Sequence, residues 1–332
     1  MDISSLSPSA NKVTAADLNA KVEAAVKKVG SDWNDLPEGH ALLKMSAKLG
    51  DLIHEAGYAE MYGVELAAPT EEGKAAPFST LLILQKFLRA NQGQVNKACE
   101  QLLGALKWRK EFKPLDVKTQ VFDKTKFQGL GYITKLKNVP DSPNHVDIAT
   151  FNIYGAVKDT KKTFGDLDEF IRWRVALMEL TLESLSLATA STPIPDYNKG
   201  PDPHQALQIH DYLRVSFLRQ PAEVKAASQK AIQLFSAHYP ETLSKKYFVN
   251  VPLVMQWMFG AMQVFMSKDT IAKMQWMSYG EELHKYLGHD VSKQYGGQGP
   301  ELEAVGVTPL YEKQASGDAA VAAAAAAKEV AV

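Results

Sequence analysis

The sequence predicts an α/β chain in which a helical N-terminal lobe precedes a domain with a mainly parallel sheet and one strongly apolar helix. Three observations predict it. Helix-period apolar spacing dominates up to about Phe112, strand and helix alternate from His145 onward, and a single strongly apolar stretch runs from Val251 to Met266. Alternation of that kind is the pattern of crossover units and parallel strands.

In chain order, residues 1–20 read as a Ser- and Ala-rich, disordered lead-in, without the charged-then-apolar pattern of a signal peptide. Residues 21–115 read as the helical lobe. Leu42, Leu43, Met45 and Leu49 are spaced for short helices, with Pro37 and Gly39 as punctuation. Leu81, Leu82, Leu84, Phe87 and Leu88 form one helical face, and Ala98, Leu102, Leu103, Leu106 and Trp108 a second. Residues 120–300 read as a second, α/β domain. Within it His145–Tyr154 is extended, Asp166–Leu185 helical, Leu207–Val215 extended, Ala222–Ala237 helical and Lys246–Val251 extended. Pro252 opens another helix to about Met266, and a short helix then leads into a strand at Met274–Ser278. Residues 313–332 are an Ala-rich tail to which no function is assigned.

The 332 residues suffice for a core with an internal pocket. Lys plus Arg is 37 against 38 for Asp plus Glu, so the net charge of -1 offers no global attraction to nucleic acid or to an anionic membrane. Cys99 is the only cysteine, which excludes an internal disulfide and cysteine-rich zinc sites and fits a reducing compartment. The stretch Val251–Met266 is shorter than the ~20 residues of a spanning helix and is interrupted by Gln256, Gly260 and Gln263. No Gly-rich phosphate loop, G-x-S-x-G elbow or H-E-x-x-H is present, so the chain reads as a carrier and not an enzyme.

The run LILQKFLRANQGQVNKACEQLLGALKWRKEF at Leu82–Phe112 resembles the N-terminal signature of the CRAL-TRIO family of lipid-exchange proteins, which includes fungal phosphatidylinositol transfer proteins. YPETLSKKYFVNVP at Tyr239–Pro252 is similar to the family's strand entering its gating helix, and QYGG at Gln294–Gly297 to its closing motif. FNIYG, RWRVALME, HDY and KKYFVNVP most resemble the non-classical fungal branch, whose pocket holds haem b. The resemblance therefore implies a CRAL-TRIO fold, in which residues 120–300 are the lipid-binding domain with the sheet as pocket floor, helices as walls and the apolar gate helix as lid; it implies phosphatidylinositol and haem b as ligands, transient membrane contact through the gate helix, and a lipid kinase as recipient. It also implies a cytoplasmic protein held peripherally at endoplasmic reticulum (microsomal) membranes.

His210 and Tyr212 stand two apart in an extended segment, so they share one sheet face, flanked by Gln208 and Arg214. By itself such a face reads as a polar strand face exposed to water. By resemblance, Tyr212 becomes the axial ligand of haem iron, and Tyr154, Arg174, His210 and Lys246 contact the haem or its propionates. A free phenol titrates near 10, so cations must favour the phenolate, and His210 is a rival ligand because imidazole is the commoner haem donor. Arg174 has separate support: it lies three or four residues from Phe170, Ile171, Leu177 and Met178 on an apolar stripe, where a charge needs a partner. The alternatives are a snorkelling side chain or a structural ion pair with Asp or Glu.

For the lipid headgroup, the resemblance points to Glu241, Thr270 and Lys273, a hydroxyl-binding carboxylate and two phosphate-binding side chains. Asn91 and Gln92 stand after FLRA, where classical members carry two basic residues; this departure argues against efficient exchange. The gate from Leu253 to Phe265 is apolar and Met-rich around most of its circumference, as suits a pocket lid or an ordinary core helix. Two further classes stand beside a haem carrier: a phosphatidylinositol transfer and presentation protein without haem, and a haem enzyme of peroxidase type.

Overall fold

The computed structural model describes residues 33, 36–71, 75–216, 221–253, 255 and 271–312. The lead-in, the Ala-rich tail, Thr270 and nearly all of the gate lie outside the described residues.

The helical lobe begins with α1 (Ala41–Ala47) and α2 (Leu49–Ala56). The His40 side chain accepts from the Leu42 amide at the start of α1, and Gly57 closes α2 in the left-handed region at φ 60°. The FLRA-bearing sequence forms α3 (Phe78–Ala90), and α4 spans Val95–Phe112. These are the two helices that the spacing predicts. Nine residues of α3 are buried, Lys86 and Gln85 included, so this helix is a strut through the molecule and not an amphipathic surface helix. Asn91 marks its end: the side-chain amide donates to the Phe87 carbonyl at 2.9 Å, and the Asn91 backbone amide reaches the same carbonyl at 3.2 Å.

The five-stranded sheet comprises β1 (Gly131–Lys137), β2 (Val146–Ile153), β3 (Ala206–Asp211), β4 (Leu243–Val249) and β5 (Met274–Trp276) in sequential order. Strand β1 pairs antiparallel with β2, and every later pair is parallel. The antiparallel edge strand is absent from the sequence reading. Its residues GYITKLK lack a continuous apolar run, and it returns to β2 through a short polar loop, not a crossover helix.

The pleat divides this sheet into two unlike faces. Ala149, Phe151, Leu207, Ile209, Tyr247 and Val249 point one way and pack with Leu283, Leu287, Val291, Tyr295 and Leu302 into an apolar core. The alternate residues face the other way in two rows set by the register: Thr150, Gln208, Lys246 and Met274, then Asn152, His210, Phe248 and Trp276. Helix α5 (Leu167–Leu185) contacts β1 and β2, the Thr181 and Thr150 hydroxyls meeting at 2.8 Å. Asp166 caps it by accepting from the Glu169 amide at 3.0 Å. Helix α6 (Ala222–His238) packs against α4 and α5.

Two expected boundaries move. The strand predicted over Leu207–Val215 stops at Asp211, and Tyr212–Val215 closes as a turn in which the Val215 amide donates to the Tyr212 carbonyl at 2.9 Å. Arg214 is therefore exposed at φ 67° and does not share the His210 face. Strand β4 begins at Leu243, before the predicted Lys246.

A second apolar cluster runs from Trp33 through α3 and α4 to α5, α6 and Tyr239, so the helical lobe and the sheet domain share a core. Fully buried Phe87 and Trp173 lie within it, each such side chain contributing about 1.5–3 kcal/mol. Across this junction Arg109 forks between two carboxylates, reaching Glu60 at 2.8 and 2.9 Å and Glu179 at 2.7 and 3.1 Å.

Candidate functional site

Five predicted residues converge on the polar face of the sheet. Tyr154 stands in the 3-10 turn after β2, Arg174 on α5, His210 in β3, Tyr212 directly after it and Lys246 in β4. The Tyr154 ring lies 5.4 Å from His210 and 5.3 Å from Tyr212, and His210 lies 5.5 Å from Phe248. Phe248 stacks on Trp276 at 3.7 Å and 6°, making a flat aromatic wall beside the imidazole. The Lys246 ammonium sits 5.9 Å from the Phe248 ring centroid.

Arg174 is buried and donates from Nη1 to Asn152 Oδ1 in a short contact. Its guanidinium lies over Phe235 at 5.6 Å and Trp173 at 5.8 Å. Among the described residues, Arg174, His210 and Lys246 take part in no ion pair with a carboxylate. The structural ion pair weighed for Arg174 is therefore absent from the described residues. His210 is 7 % exposed, and its Nε2 has no hydrogen-bond partner there. A buried imidazole nitrogen without a partner leaves a desolvation cost unpaid that a ligand would offset.

The protonation equilibria register the same imbalance. Burial pushes the Lys246 ammonium down to about 8, with Arg174 adding to the effect. Burial, then Lys246 and Arg174, holds His210 well below the usual imidazole range. The Tyr212 phenol is raised above its ordinary value by burial first and by Tyr154 second, while Arg174 opposes the rise. Among the described residues the site thus gathers aromatic side chains and two cations, Arg174 and Lys246, that have no carboxylate partner beside two phenols, a chemistry suited to a flat apolar ligand with anionic groups.

A second cluster stands where β4 and β5 begin. Glu241, at φ 53°, accepts from Gln205 Nε2 at 2.8 Å and faces Arg89 Nε and Lys273 Nζ, each at 3.7 Å. Lys273 also donates to the Leu243 carbonyl at 3.1 Å. Buried Lys86 holds the base of this cluster, donating to Asp202 Oδ2 and the His204 carbonyl at 2.7 Å and to the Glu241 carbonyl at 3.0 Å. From Leu243 to Phe248 the strand rises over five residue steps, about 17 Å, so the two clusters occupy opposite ends of one sheet. Lys246 lies between them.

Residues 151–297 match the profile of the CRAL/TRIO domain. A protein of Phaeosphaeria nodorum called phosphatidylinositol transfer protein SFH5 is 50% identical over 291 residues, covering 88% of this chain and 86% of its own. The chain belongs to the CRAL/TRIO family. A Cryptococcus neoformans protein of the same name is 48% identical, covering 81% of this chain and 90% of its own. A solved CRAL/TRIO neighbour, the crystal structure of Sfh5, superposes with a TM-score of 0.67 at 30% identity, covering 83% of this chain and 95% of that one. The mixed architecture and mostly parallel sheet are those expected of the family.

Sequence reasoning missed several members of these clusters. Asn152 was legible in principle, since it alternates with Tyr154 in FNIYG; Phe248 and Trp276 read as ordinary strand apolar residues. Arg89 precedes the two positions where basic residues are missing, and its guanidinium faces the Glu241 carboxylate at 3.7 Å. Asn91 and Gln92 serve to end α3.

Proposed function

We propose that this chain is a phosphatidylinositol transfer protein of the CRAL/TRIO family whose pocket face also receives haem b, with the Tyr212 phenolate as ligand to the iron. One observation carries the haem reading: among the described residues the cations Arg174 and Lys246 stand with His210 around two phenols without a carboxylate partner, and the buried His210 Nε2 has no hydrogen-bond partner there. The donor set fits the group. Haem b supplies a Lewis-acidic iron that favours a phenolate, together with two propionates that need cations. Tyr212 would release its proton on ligation, Lys246 and Arg174 would hold the carboxylates, and His210 Nε2 would donate or accept a hydrogen bond there. Tyr154, Phe248 and Trp276 would exclude water from the phenol. Because the Tyr212 proton is held tightly, uptake of hemin should weaken as pH falls.

Phosphatidylinositol transfer rests on the relatives' name and on the Glu241, Arg89 and Lys273 cluster, which offers both a carboxylate for inositol hydroxyls and cations for a phosphate. The protein then works in the cytoplasm as a carrier and not a catalyst, touching endoplasmic reticulum membranes peripherally through the gate, presenting lipid to a kinase and buffering haem or oxidant stress. Transfer without haem is the second reading, carried by the same cluster.

The test is the absorption spectrum and iron content of protein purified from iron-supplied cells, beside Tyr212→Phe. A Soret band with one iron per chain, altered in the variant, supports the assignment; an unchanged spectrum in Tyr212→Phe removes it. For the lipid arm, Lys273→Ala should slow phosphatidylinositol transfer between vesicles, and unaltered transfer would remove Lys273 from the headgroup site.

A further inference from the structure

We infer that Asp211 is a positioning residue: from the far face of the sheet it fixes the turn that presents the Tyr212 phenol to the pocket. The inference rests on the haem reading above and assigns a role to a residue between the two that HDY brings to the pocket.

Alternation puts Asp211 opposite His210 and Tyr212, on the apolar face with Ile209, where it is 5 % exposed. A carboxylate buried there must be fully hydrogen-bonded. Its Oδ1 accepts from the Leu213 amide at 2.9 Å and from Asn250 Nδ2 at 2.7 Å, and its Oδ2 accepts from the Tyr295 hydroxyl at 2.9 Å. Asn250 is itself tied down, accepting from the Gly280 amide at 2.7 Å. One side chain therefore joins HDY, the end of KKYFVNVP and the QYGG tyrosine.

What it holds is the Tyr212 turn. The Tyr212 amide donates to the Val249 carbonyl at 3.1 Å, and the next residue, Leu213, is bonded to Asp211 across an Asx turn. Solvent-side packing offers little, since Leu213 is 51% exposed and Arg214 sits at φ 67°. The turn is in addition the surface against which Tyr154 is set, because a Cβ on Gly155 would stand 2.0 Å from the Leu213 carbonyl oxygen. Displacing Leu213 thus moves both phenols at once. Groups that orient a metal ligand without touching the metal commonly matter by about 10- to 100-fold in affinity.

The test compares wild type with Asp211→Asn, Asp211→Ala and Tyr295→Phe in two measurements. The first is hydrogen exchange at the Leu213 amide in protein without haem. The second is a hemin titration followed through the Soret and tyrosinate charge-transfer bands. Asp211→Asn keeps an acceptor for Leu213 and Asn250 and should behave as wild type. Asp211→Ala should exchange Leu213 about tenfold faster or more, weaken hemin by about 10- to 100-fold and shift the charge-transfer band, while phosphatidylinositol transfer is unchanged. If Asp211→Ala does not fold, Tyr295→Phe should move both readouts the same way by less. Wild-type exchange and an unshifted band in either folded variant overturn the role. Failure of the wild type to take up hemin instead overturns the haem reading, and accelerated Leu213 exchange would still place Asp211 as the holder of the turn.

Discussion

Replacing Arg109 by methionine should show how strongly the helical lobe is bolted to the sheet domain. The guanidinium is fully buried and donates four hydrogen bonds to Glu60 and Glu179, with nitrogen–oxygen distances of 2.7 to 3.1 Å. Methionine keeps the apolar stem and removes every donor. Glu179, 3% exposed, retains only the Tyr239 hydroxyl at 2.6 Å, and Glu60 the Gly63 amide at 2.7 Å and the Tyr58 hydroxyl at 3.1 Å. Removing one partner of a buried pair costs about 3–5 kcal/mol, a large part of the 5–15 kcal/mol typical of a whole domain. The melting temperature should drop by roughly 10 °C, at the low end of the shift per kcal/mol because the chain is long. The pH dependence has a definite sign. With the cation gone, two carboxylates share a buried site and one carboxyl takes up a proton above the ordinary range, so the folded variant binds more protons than its unfolded chain. The deficit against wild type should therefore shrink as pH falls from 7 toward 5. Urea unfolding of both proteins at the two pH values measures it. A loss below about 1 kcal/mol that is also independent of pH would refute the reasoning.

Two other outcomes follow from displaced titrations. His238, stacked on Trp108 at 4.6 Å, is lowered to about 4 by burial and then by Lys230, so the unfolded chain binds its proton first; this stability is intact above about 6.5 and lost as pH falls toward 4, and His238→Gln should flatten the acid limb of a melting-temperature profile, an unchanged limb refuting the assignment. Lys246 is charged in both states at neutral pH and carries its burial cost there, so Lys246→Met should raise stability by up to about 3 kcal/mol while weakening hemin uptake. Calorimetry beside a hemin titration would refute this if neither moved.

The lobes, the parallel order and the two long helices of the N-terminal segment were legible because periodicity records burial directly. So was the shared face of His210 and Tyr212, although the strand ends between them: Tyr212 keeps the face because its amide still bonds to β4. Arg214, by the same alternation, was misplaced, since a left-handed residue breaks the period and nothing in the local sequence announces it. The antiparallel edge strand escaped for want of an apolar run. Asn152, Arg89, Gln205 and Asp211 escaped for another reason: each acts through a hydrogen bond to a residue distant in sequence, and spacing along one segment carries no record of a partner on another.

The apolar cluster that runs from Trp33 to Tyr239 bears on how this fold can be inherited. The family profile spans 151–297, yet α5 within it leans on residues outside: it packs on the short helix Pro114–Lys118, Trp173 stacks on Phe127 at 5.3 Å, and Glu179 pairs with Arg109. Excised at the profile's limits, the sheet would bare that side of α5 to water and leave Glu179 facing solvent without its arginine. Gene fusion or shuffling that moved the matched segment alone would carry the ligand face but not the folding unit. The heritable module here is the helical lobe together with the sheet, which makes an N-terminal truncation a lesion in the ligand site as much as in the lobe it removes.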